Sequence, residues 1–139
     1  MKFNHLTIII ADDDDDDKTL ITNALVDNGI KKEHILLTSD GAELLEVLKG
    51  FETRPCLVLL DLNMPRKDGF KALAEIKSDQ MIKHVPVIIF TTSNSSQDIL
   101  TTYKLGSNTF FTKPNYYHEL VELMGVIKSY WFEKAALLT

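Results

Sequence analysis

The sequence predicts an α/β fold in which a parallel five-stranded sheet carries helices on both faces. Two observations lead there. Short apolar runs alternate with amphipathic stretches through five rounds, the pattern of βα units whose strands run parallel. Two of the runs, residues 8–10 and 57–60, are apolar on consecutive positions, as central strands covered on both sides require.

Each element has its own signal. The first strand is residues 7–11, and the first helix follows with Leu20, Ile21, Ala24 and Leu25 on one stripe until Gly29. The second strand is 34–38. Ser39 and Asp40 can start the second helix, which carries Leu44, Leu45, Leu48 and Phe51 and is punctuated by Gly50. The third strand is 56–60, followed by Phe70, Leu73 and Ile76. The fourth is 86–91, followed by Ile99, Leu100 and Tyr103, with Gly106 after them. The fifth is 108–112. The last helix, from about residue 116, aligns Leu120, Leu123, Met124, Ile127 and Trp131. Every stripe has the i, i+3, i+4, i+7 spacing of one helical face.

At 139 residues the chain is about one domain's worth and can bury a real core. No linker or change of composition divides it, so residues 1–139 are read as one domain. The formal charge of −5 comes largely from one acidic run. No basic stripe tracks a phosphate backbone, which argues against direct nucleic-acid binding. The single cysteine, Cys56, excludes an internal disulfide and reads as a buried thiol at a strand start. No signal peptide and no span of about 18 apolar residues is found, so a soluble, cytoplasmic protein with no membrane attachment is expected. His5, His34, His84 and His118 share no motif. Trp131 belongs to a core stripe, but Tyr130, Phe132 and Leu138 cannot all face inward from one helix, and that surplus marks a candidate contact surface.

In open α/β sheets, ligands bind outside the carboxyl ends of the strands. There the sequence places Asp12 to Asp14 after the first strand, Asp61 after the third, Thr91 and Thr92 after the fourth, and Lys113 before Pro114 after the fifth. Neighbouring carboxylates raise each other's proton affinity unless a cation sits between them. A site of oxygens without His or Cys favours Mg²⁺, which takes one or two carboxylates and keeps several waters. Such an ion suits a phosphoryl group, with Lys113 as a compact positive charge and Thr91 as a hydroxyl donor. Asp61 is then the candidate nucleophile, since aspartyl phosphate is an established carboxylate intermediate. Asp15 to Asp17 read as the solvated first turn of a helix, where acids favour the positive end. Asp14 lies between the two groups, and the run lacks the spacing of a calcium loop.

The motifs IIIADDD, LVLLDLNMPRKDG, PVIIFTTS and FFTKP together resemble the receiver domain of two-component response regulators over essentially the whole chain. The resemblance implies a flavodoxin-like, doubly wound (βα)5 fold with strand order 2-1-3-4-5. It implies that Asp61 is the phosphoacceptor, that Asp13 ligates Mg²⁺ directly with Asp12 assisting, and that Asn63 offers its backbone carbonyl. It makes Thr91 the switch hydroxyl, Lys113 the family's lysine and Phe110 the switch aromatic. Lys113-Pro114 falls where a cis peptide is typical, and X-Pro is the common setting for that isomer. Asn115 and Thr92 depart from the usual pattern. The expected partners are a sensor histidine kinase or histidine phosphotransfer protein, a downstream protein target, and a second copy through the C-terminal region. The expected activity is Mg²⁺-dependent phosphoryl transfer from phosphohistidine to Asp61, catalysed together with its own hydrolysis by the receiver itself. Alternatives are a shuttle to a histidine phosphotransfer protein and a phosphorylation-independent binding module. A haloacid-dehalogenase-type phosphatase is disfavoured, because DLN lacks the second Asp of its motif and no cap domain fits.

Overall fold

A computed structural model describes residues 6–137. In chain order the elements are β1 (Thr7–Ala11), α1 (Asp15–Asp27), β2 (Ile35–Thr38), α2 (Gly41–Leu48), β3 (Cys56–Leu60), α3 (Gly69–Ser78), β4 (Val87–Thr91), α4 (Ser96–Leu105), β5 (Thr109–Thr112) and α5 (Tyr117–Ile127). All strand pairs are parallel, in the order β2-β1-β3-β4-β5. This is the doubly wound, flavodoxin-like order expected from the sequence. Among the described residues no helix is long and apolar enough to cross a membrane.

The period of two along each strand sorts the core into two layers. Ile9, Ala11, Val58, Leu60, Val87 and Ile89 pack with α2 and α3 on one side. Ile8, Ile10, Leu57, Leu59, Ile88 and Phe90 pack with α1 and α5 on the other. Chain order reverses between β1 and β3, which is where a ligand crevice is expected. There Ala11 lies opposite Leu60, so the next residues, Asp12 and Asp61, leave the sheet side by side.

The loops around that crevice are held by local chemistry. Asp68 caps α3, accepting from Lys71 N–H at 2.9 Å. Gly69 runs so close beneath the site that a Cβ would lie 2.2 Å from the Asp61 carbonyl oxygen. Arg66 adopts a left-handed backbone, φ +61°, which disfavours a non-glycine residue. Its guanidinium reaches Asp40 Oδ2 at 2.6 Å, and Asp40 in turn caps α2 by accepting from Glu43 N–H at 2.8 Å. The loop after Asp61 is thereby tied to the start of α2.

Several expectations change. Leu20 is exposed, and α4 turns only Thr102 fully inward, leaving Leu100 and Tyr103 exposed and Ile99 half-buried. The Thr102 hydroxyl is satisfied by donating to the Ile99 carbonyl at 3.0 Å, so the polar side chain can occupy the inward position. Gly50 is not a left-handed cap; α2 runs on through a 3-10 turn, Lys49–Phe51, that buries Phe51. No cis peptide occurs among the described residues, so Lys113-Pro114 is trans, the favoured isomer even before proline.

The C-terminal helix holds the largest surprise. After Ile127 it widens into a π-helix, Lys128–Lys134, closed by the Ala135 N–H donating to the Tyr130 carbonyl at 2.7 Å. In i→i+5 winding, residues five apart share a face, so Phe132 follows Ile127 into the core and both are buried. Tyr130 is exposed and Trp131 half-buried. Phe132 therefore leaves the surface surplus; Leu138 and His5 lie outside the described residues.

Phe132→Ala should lower unfolding stability by about 3–4 kcal/mol, whereas Tyr130→Ala should stay within about 0.5 kcal/mol, both read from urea denaturation. A second expectation concerns acid. The Glu43 N–H, joined by the Arg66 guanidinium and opposed by burial, holds the Asp40 carboxyl below its ordinary value of 3.8. A depressed folded pKa gives stability that is present above the unfolded value and lost as pH falls through the folded one. Wild type should therefore lose stability from about pH 5 downward more steeply than Asp40→Asn, measured as urea midpoints against pH.

Candidate functional site

The β1 and β3 ends bring three acids together. One carboxylate oxygen each from Asp12, Asp13 and Asp61 lies within 4.8 Å of the others. Asp12 and Asp61 are buried and Asp13 is exposed. The backbone anchors the pair: the Asp12 N–H donates to the Thr38 carbonyl at 3.1 Å, and the Asp61 N–H to the Ala11 carbonyl at 2.9 Å. Asp12 Oδ1 also accepts from the Asp14 N–H at 2.9 Å. This oxygen-only set, two of its members buried, fits a hard divalent cation, since like charges so close need a counter-charge.

From β5, Lys113 reaches across to the same crevice. Its Nζ donates to Asp12 Oδ2 at 2.6 Å and to Asp17 Oδ2 at 2.8 Å, and stands 3.6 Å from Asp61 Oδ2. Burial pushes the Asp12 carboxyl above its ordinary value against the pull of Lys113. Burial would also lower the Lys113 ammonium, but its hydrogen bonds to Asp12 and Asp17 outweigh that and hold it above the ordinary lysine value. The lysine therefore stays charged.

Thr91 ends β4 with its side chain fully buried and its hydroxyl without a hydrogen-bond partner. A buried polar atom left unsatisfied calls for an explanation, and Thr91 stands at the carboxyl end of β4, the edge of the sheet where the acids also lie. Thr92 and Asn63 are exposed, and the Asn63 N–H points at Asp61 Oδ1 from a long 3.5 Å. Phe110 is half-buried and packs on the α2–α3 layer; its backbone N–H donates to the Tyr103 hydroxyl at 3.2 Å. Ser93, near the crevice rim, donates to Asp98 Oδ2 at 2.7 Å.

The acidic run divides by position. Asp14 is the N-cap of α1, with Oδ1 accepting from the Asp17 N–H at 3.0 Å. Asp15 and Asp16 are exposed. Asp17 is not merely a solvated helix start, because it binds Lys113. The signal was available in the register: Asp17 is the third helical residue, and helical side chains lean toward the N-terminus, here back toward the strand ends. The Arg66–Asp40 link lay beyond sequence reading, since nothing local couples residues 26 apart. Cys56 is buried at the start of β3 as expected, and burial pushes its thiol up to about 12, which disfavours the nucleophilic thiolate.

Known proteins share this architecture. The family model described as the response regulator receiver domain matches residues 8–124. Response regulator Rcp1 of Synechocystis sp. is 36% identical over 135 residues, covering 94% of this chain and 91% of its own. Among solved structures, the phosphorylated cyanobacterial phytochrome response regulator RcpA superposes with a TM-score of 0.86 at 34% identity, covering 97% of this chain and 99% of that one. The Mn²⁺-bound form of Rcp1 gives 0.82 at 32% identity, with 96% and 99% coverage. A match from the first buried strand into the last helix includes every strand end that builds the crevice, and the chain belongs to the response regulator receiver domain family.

Proposed function

We propose that this receiver takes a phosphoryl group from a phosphohistidine onto Asp61 in a Mg²⁺-dependent reaction and loses it again by hydrolysis. The observation that supports the reading most is the convergence of Asp12, Asp13 and Asp61 on one point at the switch between β1 and β3. The Mn²⁺-bound and phosphorylated forms of its relatives agree with it. Mg²⁺, held by Asp12, Asp13 and Asp61 with the Asn63 backbone carbonyl, would neutralise charge between the carboxylates and the phosphoryl oxygens.

The chain's own groups do the rest. An ionised Asp61 oxygen attacks phosphorus as the bond to the donor imidazole breaks, and the imidazole leaves with the electron pair. Lys113 stabilises negative charge on one phosphoryl oxygen, and the Thr91 hydroxyl donates to another. Hydrolysis then runs by water attack on phosphorus, returning the Asp61 carboxylate. Drawing Thr91 toward the phosphoryl group opens space for Phe110 to turn inward, altering the surface of α4, β5 and α5. The charge change biases a two-state element.

Receiver domains work through histidine kinases or phosphotransfer proteins and through downstream protein targets. For this chain we assign the phosphodonor to a sensor histidine kinase or a histidine phosphotransfer protein, and the output to a downstream protein or a second copy. The homodimer reading rests on Val126 and Tyr130, both more than half exposed, beside a groove of about 220 Å³ lined with Phe111, Ile127 and Trp131.

Incubation with acetyl phosphate and Mg²⁺ should add one phosphoryl group to wild type by intact mass, and none to Asp61→Asn or after chelation. An adduct that survives in Asp61→Asn would move the site elsewhere. Light scattering at high concentration should show a dimer that Tyr130→Glu weakens; a monomer with and without phosphorylation rules out the homodimer.

A further inference from the structure

Three carboxylates surround the Lys113 ammonium: Asp12 Oδ2 at 2.6 Å, Asp17 Oδ2 at 2.8 Å and Asp61 Oδ2 at 3.6 Å. A lysine ammonium has three N–H donors. Two are engaged by Asp12 and Asp17, and Asp61 lies beyond hydrogen-bond reach. The two engaged acids differ in kind. Asp12 is buried and fixed by the Asp14 N–H through its other oxygen. Asp17 is half-exposed, belongs to the first turn of α1, and stands outside the trio whose oxygens converge on one point.

We propose that Asp17 is a positioning residue that holds Lys113 back from Asp61 in the unphosphorylated protein and releases it when a phosphoryl group arrives, so that its carboxylate sets how readily the site takes up that group. The inference rests on the reading of Asp61 as phosphoacceptor. A phosphoryl group on Asp61 carries its oxygens outward past the carboxylate, toward Nζ. The contact to Asp12 is compatible with both states, whereas the contact to Asp17 holds Nζ on the α1 side, 3.6 Å short of Asp61 Oδ2, and must lengthen for Nζ to close on a phosphoryl oxygen. A cavity of about 50 Å³ beside Asp17 and the Lys113 stem, walled by Leu20, Ile21, Phe90 and Leu120, lets the stem shift without repacking the core. Asp17 is partly exposed, so water screens the contact that is given up and the effect is several-fold in size.

The test uses the full chain with Mg²⁺ and beryllofluoride, a stable tetrahedral stand-in for the phosphoryl group, with binding read from the fluorine resonance of the bound anion. Asp17→Asn removes the charge and keeps the size. Asp16→Asn removes the same charge from an exposed neighbour in the same turn. Asp17→Glu keeps the charge on a longer arm. Asp17→Asn should bind about three- to tenfold more tightly than wild type, Asp16→Asn within about twofold, and Asp17→Glu like wild type. The nitrogen resonance of the free protein's Lys113 ammonium should shift in Asp17→Asn and stay in place in Asp16→Asn. Equal gains in Asp16→Asn and Asp17→Asn, no gain in Asp17→Asn, or an Asp17→Glu that behaves like Asp17→Asn would each overturn the inference. Failure of wild type to bind beryllofluoride, or undiminished binding by Asp61→Asn, would instead overturn the phosphoacceptor reading beneath it.

Discussion

Carboxylates crowded at a strand end repel one another, and the parallel register of β1 against β3 forces that crowding here. With Ala11 opposite Leu60, Asp12 and Asp61 have nowhere to go but the same crevice, and both are buried in it. Much of the surrounding structure answers this one constraint. Lys113 crosses from β5 to place a cation among the acids. The Asp14 N–H satisfies one Asp12 oxygen. The charge that remains favours a divalent ion, and an ion there makes a phosphoryl group welcome. Structure and chemistry have a single origin in this site.

The same constraint explains why the loop after Asp61 is so closely held. Gly69 passes within a missing Cβ of the Asp61 carbonyl, Asp68 caps the helix that follows, and Arg66 accepts a left-handed backbone while binding Asp40. As the proposed nucleophile, Asp61 would have to keep its position to within a fraction of an ångström. Ties to α2 and α3 supply that rigidity from outside the crevice. At the end of β4, Thr91 carries a buried hydroxyl without a hydrogen-bond partner, which the proposed phosphoryl oxygen would satisfy.

Identical letters in the acidic run acquired different roles because geometry, not composition, decides what a carboxylate does. Asp12 and Asp13 join Asp61, Asp14 caps a helix, Asp15 and Asp16 meet solvent, and Asp17 binds Lys113. The C-terminal helix makes the same point with apolar residues. Phe132 is misread on a helical wheel of 3.6 residues per turn, because the chain widens to a π-helix and brings it under Ile127. Helix α4 shows the converse: its apolar spacing is regular, but the face that docks is the one carrying Thr102. Periodicity reports which residues share a face, and only packing reports which face is used.

The sequence by itself determined the strands, their parallel arrangement and the identity of the residues at their carboxyl ends. Those depend on local periodicity and on a general rule of α/β sheets, both written in neighbouring residues. It also determined, through four motifs in order, the family. Tertiary structure alone decided that Asp17 pairs with Lys113, 96 residues away, that Arg66 locks onto Asp40, and that Phe132 is core. For Asp17 the helical register gave the direction of the side chain but not its partner, and for the other two no local pattern named the contact. Their energies come from charge and burial that exist only once the sheet has brought the partners together.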